Sequence, residues 1–382
     1  MTDITCDMLI IGGGFAGTAL AYSAARQGVQ VVLVEAGEIG SGTSAACAGR
    51  AQIIESETEE YLDLVLEGIS KLDSLGEELG QDLEWDLPGH LTLLFNEEQQ
   101  HCYSGLIERL HRHGVEAGML DLSDLLKAEP NLRLDGCVGA AYSQEGHLNP
   151  FRFCQGYVRA ARRFGAKLLT HTKVTGFEQQ AGRIILVRTE EHRISAGIVV
   201  LAAGVWTGEL ARMARSNLPM HFTHAEAVVS EPLPRFIHHH IGMSGFYEAV
   251  HGQQQTVTLG VGQHRNGSLV ISNAIQQTEE IDRNSTHWGM PALAKAVVHF
   301  FPALRNIRLV RTWASPSPFL PDYQPALGRM PGLENLYCAA GFHLAVPTIP
   351  LLAEAFAGCL VSGEAAEENY ILKRFSPMRF EE

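Results

Sequence analysis

Residues 7–35 read DMLIIGGGFAGTALAYSAARQGVQVVLVE. Asp7 to Ile11 is a short apolar run ending at glycine, the pattern of a strand buried in a parallel sheet. Gly12-x-Gly14-x-x-Gly17 follows, then small and apolar residues at helical spacing as far as Gln27, with Gly28 placed to close the helix. Val29 to Val34 is a second apolar strand, and Glu35 stands at its end. The stretch predicts a complete βαβ unit that binds a dinucleotide. Gly12 permits the tight turn, Gly14 lets the backbone approach a pyrophosphate, and Gly17 allows close helix–strand packing. The helix N-terminus, with Phe15 and Ala16, faces the phosphate charge. Glu35, followed by Ala36, accepts from the adenosine ribose hydroxyls and disfavours a 2′-phosphorylated ligand.

Two more strand–glycine corners extend the reading. Leu201-Ala202-Ala203-Gly204-Val205-Trp206 closes one apolar run, and Cys338-Ala339-Ala340-Gly341-Phe342-His343 closes another, before a helix of about 15 residues from Pro350. A nicotinamide-binding domain is usually self-contained, whereas these corners resemble the places where flavoprotein folds return to the dinucleotide, so FAD is the expected dinucleotide. Elsewhere, charged helical stretches lie at 57–79 and 96–113, with a strand over 89–95 between them. His147-Leu148-Asn149-Pro150 turns into an alanine- and arginine-rich helix, and residues 220–275 are β-rich. The α/β and β-rich textures interleave. The expected fold class is therefore α/β, a Rossmann-like FAD-binding domain from 1–80, 146–215 and 310–382, interleaved with a β-rich α+β substrate domain from 81–145 and 216–309.

Composition narrows the function further. The 382 residues are 46% hydrophobic and 19% charged, and 29 Lys+Arg against 43 Asp+Glu give a net charge of −14. That balance opposes nucleic-acid binding, which needs clustered cations. No apolar run reaches about 18 residues, so no transmembrane segment is expected. The N-terminus lacks the basic region of a signal peptide. Seven scattered cysteines carry no C-x-x-C pair or metal-ligand spacing. The expectation is a reduced, cytoplasmic chain without a metal. His238-His239-His240 reads as a polar loop, since adjacent histidines rarely converge on one ion, and Cys47 reads as a small buried thiol.

IIGGGFAG (10–17), VVLVEAG (31–37), SGTSAACAGR (41–50), GHLNPFRF (146–153), VVLAAGVWTGEL (199–210), RTWASPSPFLPDYQPALG (311–328) and LYCAAGFHLAVPTIPLLAE (336–354) occur in this order. On these motifs the sequence resembles the D-amino-acid oxidase family of flavoproteins over nearly its whole length. That family includes glycine oxidase, sarcosine oxidase and the flavin subunits of opine and D-hydroxyproline dehydrogenases. The resemblance implies hydride transfer from an amino acid or secondary amine to flavin, followed by imine hydrolysis. It implies that Ser41, Gly42, Thr43 and Ser44 cover the pyrophosphate and flavin, that the Val174 backbone meets the adenine, and that Ala203, Gly204 and Trp206 touch the cofactor. Gly341, Phe342 and His343 align with the loop beside the flavin ring, which in relatives carries more glycine. An alternative is an FAD-carrying subunit of a heteromeric dehydrogenase, active only with partner chains. A third is a tRNA-modifying or hydroxy-acid enzyme on the same fold, the tRNA version opposed by the acidic charge.

One departure stands out. Where relatives carry an arginine that grips the substrate carboxylate, before a P-D-x-x-P-x-x-G segment, this chain has Ser317, with Pro321 to Gly328 intact. Serine supplies neither charge nor fork. Either the substrate lacks that carboxylate or another cation holds it, and Arg50, which follows the flavin-side loop, is the first candidate for that cation, with Arg311 and His343 next.

Overall fold

The structure is a computed structural model that describes residues 2–381 apart from 55, 57, 246–248, 250, 251, 253, 364–367 and 370. Thr2–Ile11 (β1) lies at the centre of the first sheet, parallel to Val31–Val34 (β2) on one side and to His192–Leu201 on the other. Lys167–Leu169 pairs outside β2, and Leu336–Ala340 outside His192–Leu201, both in parallel. The last residues of β1 and all of β2 are buried, which is why they read as unbroken apolar runs. Phe15–Arg26 (α1) joins the two strands.

Helix α1 packs beside Glu59–Leu79, Pro150–Arg163 and Ala345–Ser362, and their apolar faces form the largest buried cluster. The sequence marks the ends of these helices. Thr58 accepts from Tyr61 N–H, Gly80 closes the same helix in the left-handed conformation, and Asn149 caps the helix that Pro150 opens. The helix expected from Pro350 starts earlier, at Ala345. Pro347 falls in its first turn, where no N–H has an intrahelical partner, and Pro350 forfeits a single bond.

That helix also corrects an expectation, because its 18 residues are long and apolar enough to cross a membrane. It is nevertheless mostly buried inside the protein, and its Glu354 pairs with Arg26 and Lys71 at 2.6 Å each. A core helix accounts for its composition.

The second sheet has eight strands in the order Leu309–Phe319, His221–Pro232, Ser268–Thr278, Thr256–Gln263, His240–Met243, His90–Leu94, Gly139–Ser143, Ala117–Leu120. Every pair is antiparallel except His240–Met243 with His90–Leu94. Gly289–Phe300 covers its back. Leu309–Phe319 thus belongs to this sheet, although the sequence reading groups residues 310 onward with the dinucleotide-binding segments. Its Pro316 and Pro318 are tolerated because the strand lies at the sheet edge, where a missing N–H breaks no ladder.

Candidate active site

The glycine turn leaves β1 with no room for side chains. Gly12 has φ +116°, and a Cβ there would lie 2.3 Å from the Ala202 carbonyl oxygen, while one on Gly17 would lie 1.9 Å from the Gly12 oxygen. Gly17 is the one expected cofactor residue that does not face the cavity, because it is pressed against the turn beneath it. Gly12, Gly14, Phe15, Ala16, Glu35, Ala36, Ser41, Gly42, Thr43, Ser44, Val174, Ala203, Gly204, Trp206, Gly341, Phe342 and His343 all line one cavity of about 690 Å³, and Arg50 joins them.

The residues at one end of this cavity fit FAD. A Cβ on Gly204 would meet no protein atom within 4 Å and would occupy ligand space. Helix α1 begins there without a side-chain cap on its N-cap residue, so its N-terminus offers the donors a pyrophosphate needs. Ser44 Oγ accepts from Phe15 N–H at 3.0 Å, drawing the flavin-side loop over the helix end. Glu35 accepts from Gly13 N–H at 2.7 Å and from Gly37 N–H at 2.8 Å. Its carboxylate thus fixes the turn, and the residue lines the cavity.

The flavin-side loop is also stitched to the second sheet. Thr43 Oγ1 donates to the Pro316 carbonyl at 3.0 Å, Trp313 Nε1 to the Ala46 carbonyl at 2.8 Å, and Arg283 Nη2 to the Ser41 carbonyl at 2.7 Å. Burial pushes the Cys47 thiol up to about 11, which leaves it unreactive at neutral pH.

At the other end the cavity meets the front of the second sheet and the loop 341–344. Tyr61 Oη donates to the His343 carbonyl at 2.6 Å, and the His343 ring stands edge-on to Phe319 at 5.8 Å. Leu344 occupies the left-handed region, φ 51°. Ser317 lines the cavity, and the one arginine of its strand, Arg311, does not. Arg311 lies outside, on a separate cavity of about 170 Å³ behind Cys47 and Ala48. Arg50 Nη2 donates to Glu145 at 2.9 Å and sits 2.7 Å from His90 Nδ1. Glu145 is 1% exposed and also accepts from Ile53 N–H, Ile54 N–H and Ser143 Oγ.

Sequence reasoning missed Glu145 and His90 and the rings of His147 and the half-buried His264 around them, and its polar-loop reading of His238-His239-His240 fails at His240, which is 5% exposed on the strand His240–Met243. His147 lies 4.8 Å from His240 and 4.7 Å from His264, centroid to centroid. These residues come from separate strands and the turns beside them, and no local spacing announces them. His238 and His239 instead donate backbone N–H to Glu129, so the three adjacent histidines diverge. Among the described residues no group of three ligands is placed to hold a metal ion.

Comparison with known proteins matches the chain to a family model described as FAD dependent oxidoreductase, over residues 7–358. The hydrogen cyanide synthase subunit HcnC of Pseudomonas aeruginosa is 25% identical, over 98% of this chain and 97% of that protein. Sarcosine oxidase subunit beta of Rhizobium meliloti is 29% identical, over 88% of this chain and 79% of that protein. The crystal structure of glycine oxidase from Geobacillus kaustophilus superposes with a TM-score of 0.87 at 22% identity, over 99% of this chain and 100% of that one.

Proposed function

The chain belongs to the family of FAD-dependent oxidoreductases, and from that premise we propose that it oxidises the C–N bond of an amino acid or secondary amine. The candidates are D-amino acids, sarcosine, D-hydroxyproline and opines. One observation carries the reading: a single cavity joins the glycine turn and Glu35 to a small-residue sheet face beside Arg50 and His343. FAD, when bound, supplies the two-electron acceptor for the hydride on the carbon next to nitrogen. The protein's own residues do the rest. The glycine turn and Ser41–Ser44 hold the dinucleotide, and Arg50 offers a cation to a substrate carboxylate. Tyr61 fixes the loop that carries His343. The sheet face shields the reacting carbon from bulk water. No acid–base pair is required if the amine arrives neutral.

A second reading concerns the electron acceptor. Two similar proteins are named as subunits, HcnC and sarcosine oxidase subunit beta. On that ground we propose that this chain works with a partner chain and passes electrons to it in preference to oxygen. Steady-state turnover with an artificial dye and with oxygen, over the candidate amines, tests both readings. Dye reduction with carbonyl product and little hydrogen peroxide is expected. Fast stoichiometric peroxide formation by the isolated chain would contradict the second reading, and no turnover with either acceptor would contradict the first.

A further inference from the structure

The sheet face that closes the cavity carries three hydrogen-bonding side chains that have no protein partner among the described residues. Thr223 and Ser317 lie opposite each other on adjacent strands, in register, and both line the cavity. Asn273 lies on the next strand, where the register slips: Glu226 pairs with Ala274 and Ala227 with Ser272, which leaves Asn273 as the extra residue of a bulge. A bulge re-aims a side chain that the regular pleat would place elsewhere. The Asn273 amide lies over Gly260, where a Cβ would come within 2.8 Å of its nitrogen.

Ala225, Ala227 and Ser315 lie between and beside these three, and the charged residues that also line the cavity wall here are Glu226 and Arg283, the latter donating to the Ser41 carbonyl. Of the two acidic residues on His221–Pro232, Glu226 reaches the cavity lining, but its carboxylate is held on the helix side of the sheet. Glu226 accepts from Thr286 Oγ1 and sits against Gly289 at the start of the helix behind the sheet. Thr223 is 3% exposed, so a ligand that leaves its hydroxyl unpaired carries a desolvation cost. Thr223, Asn273 and Ser317 themselves offer a charged substituent no counter-charge.

We propose that this patch is the specificity surface for a neutral, hydrogen-bonding group on the substrate, so that the amine oxidised carries a hydroxyl or carboxamide. This rests on the amine-oxidation reading and adds to it the class of side group. Ser317 in place of an arginine is then a change of recognition chemistry: hydroxyl and amide donors and acceptors replace an ionic fork on this strand.

The test is anaerobic reduction of the FAD-loaded protein by matched pairs that differ in one polar group: D-proline and 4-hydroxy-D-proline, D-alanine and D-serine, D-leucine and D-asparagine. The ratio of limiting reduction rate to substrate Kd is compared within each pair. The polar member should be favoured by about tenfold or more in at least one pair, the scale of one buried hydrogen bond. In the double variant Thr223→Val, Ser317→Ala, with FAD retained, that preference should fall toward one. Equal ratios within every pair, or a preference that survives the double variant, would overturn the proposal. Reduction by none of the compounds would overturn the amine-oxidation reading, and this inference with it.

Discussion

Arg50 and Glu145 lie 95 residues apart in sequence and 2.9 Å apart in space, and their pairing decides what a substitution at Arg50 does. Glu145 is nearly fully buried, so Arg50→Ala takes a paired cation from its carboxylate and should cost about 3–5 kcal/mol of stability whatever its effect on substrate. Arg50→Lys keeps the charge but loses the planar fork, and separates the two roles. We expect it to retain FAD and to raise KM about tenfold or more for a carboxylate-bearing substrate, a loss of roughly 1–3 kcal/mol. Unchanged kinetics in Arg50→Lys would move the carboxylate contact elsewhere. Arg50 itself was legible, because it follows a recognisable loop. Its partners were not, because Glu145 and His90 reach it through strand pairing across the molecule, and no spacing within one segment encodes that. Glu35 was legible for the opposite reason: its position at the end of β2 is set by the local βαβ unit.

At the scale of elements, the loop Ser41–Cys47 ties one half of the protein to the other. Three of its groups bond to residues of the second sheet or the loop that follows Ser268–Thr278. Trp313→Phe removes the indole donor to the Ala46 carbonyl and keeps most of the ring volume. FAD should then bind about five- to tenfold more weakly, on the order of 1 kcal/mol, while the unfolding midpoint moves little. Equilibrium dialysis of flavin against the variant measures this, and an unchanged Kd would mean that the stitch does not hold the loop over the cofactor. The elements themselves follow their local signals closely: the apolar runs of β1 and β2, the caps Thr58 and Asn149, the glycine at 80. The strand order of the second sheet does not, since His90–Leu94 pairs with His240–Met243 some 150 residues away. Such pairings are fixed by packing over the whole face, which periodicity within one strand does not report.

Over the whole molecule, the buried histidines make the fold acid-sensitive. His147 is pushed down to about 3 by burial and by the neighbouring His264, and burial, with Arg50 close by, holds His90 and His240 well below the ordinary histidine value. Their folded values lie below the unfolded one near 6.5, so the unfolded chain takes up protons first. Stability is whole above about pH 6.5 and is lost as pH falls toward 3, with each such histidine costing about 1.4 kcal/mol at pH 5.5. Urea unfolding midpoints should therefore drop between pH 7.5 and 5.5, and drop less in His147→Gln; a midpoint flat over this range would contradict the assignment. The central claim is that one cavity holds FAD at its glycine end and an amine at its sheet end. Anaerobic titration of the purified yellow protein with the best amine, followed by flavin absorbance, tests it most directly. Complete bleaching at one equivalent of amine per FAD, with one equivalent of carbonyl product, is the predicted result. A colourless protein that takes up no FAD, or bound flavin that no amine or amino acid bleaches, would contradict it.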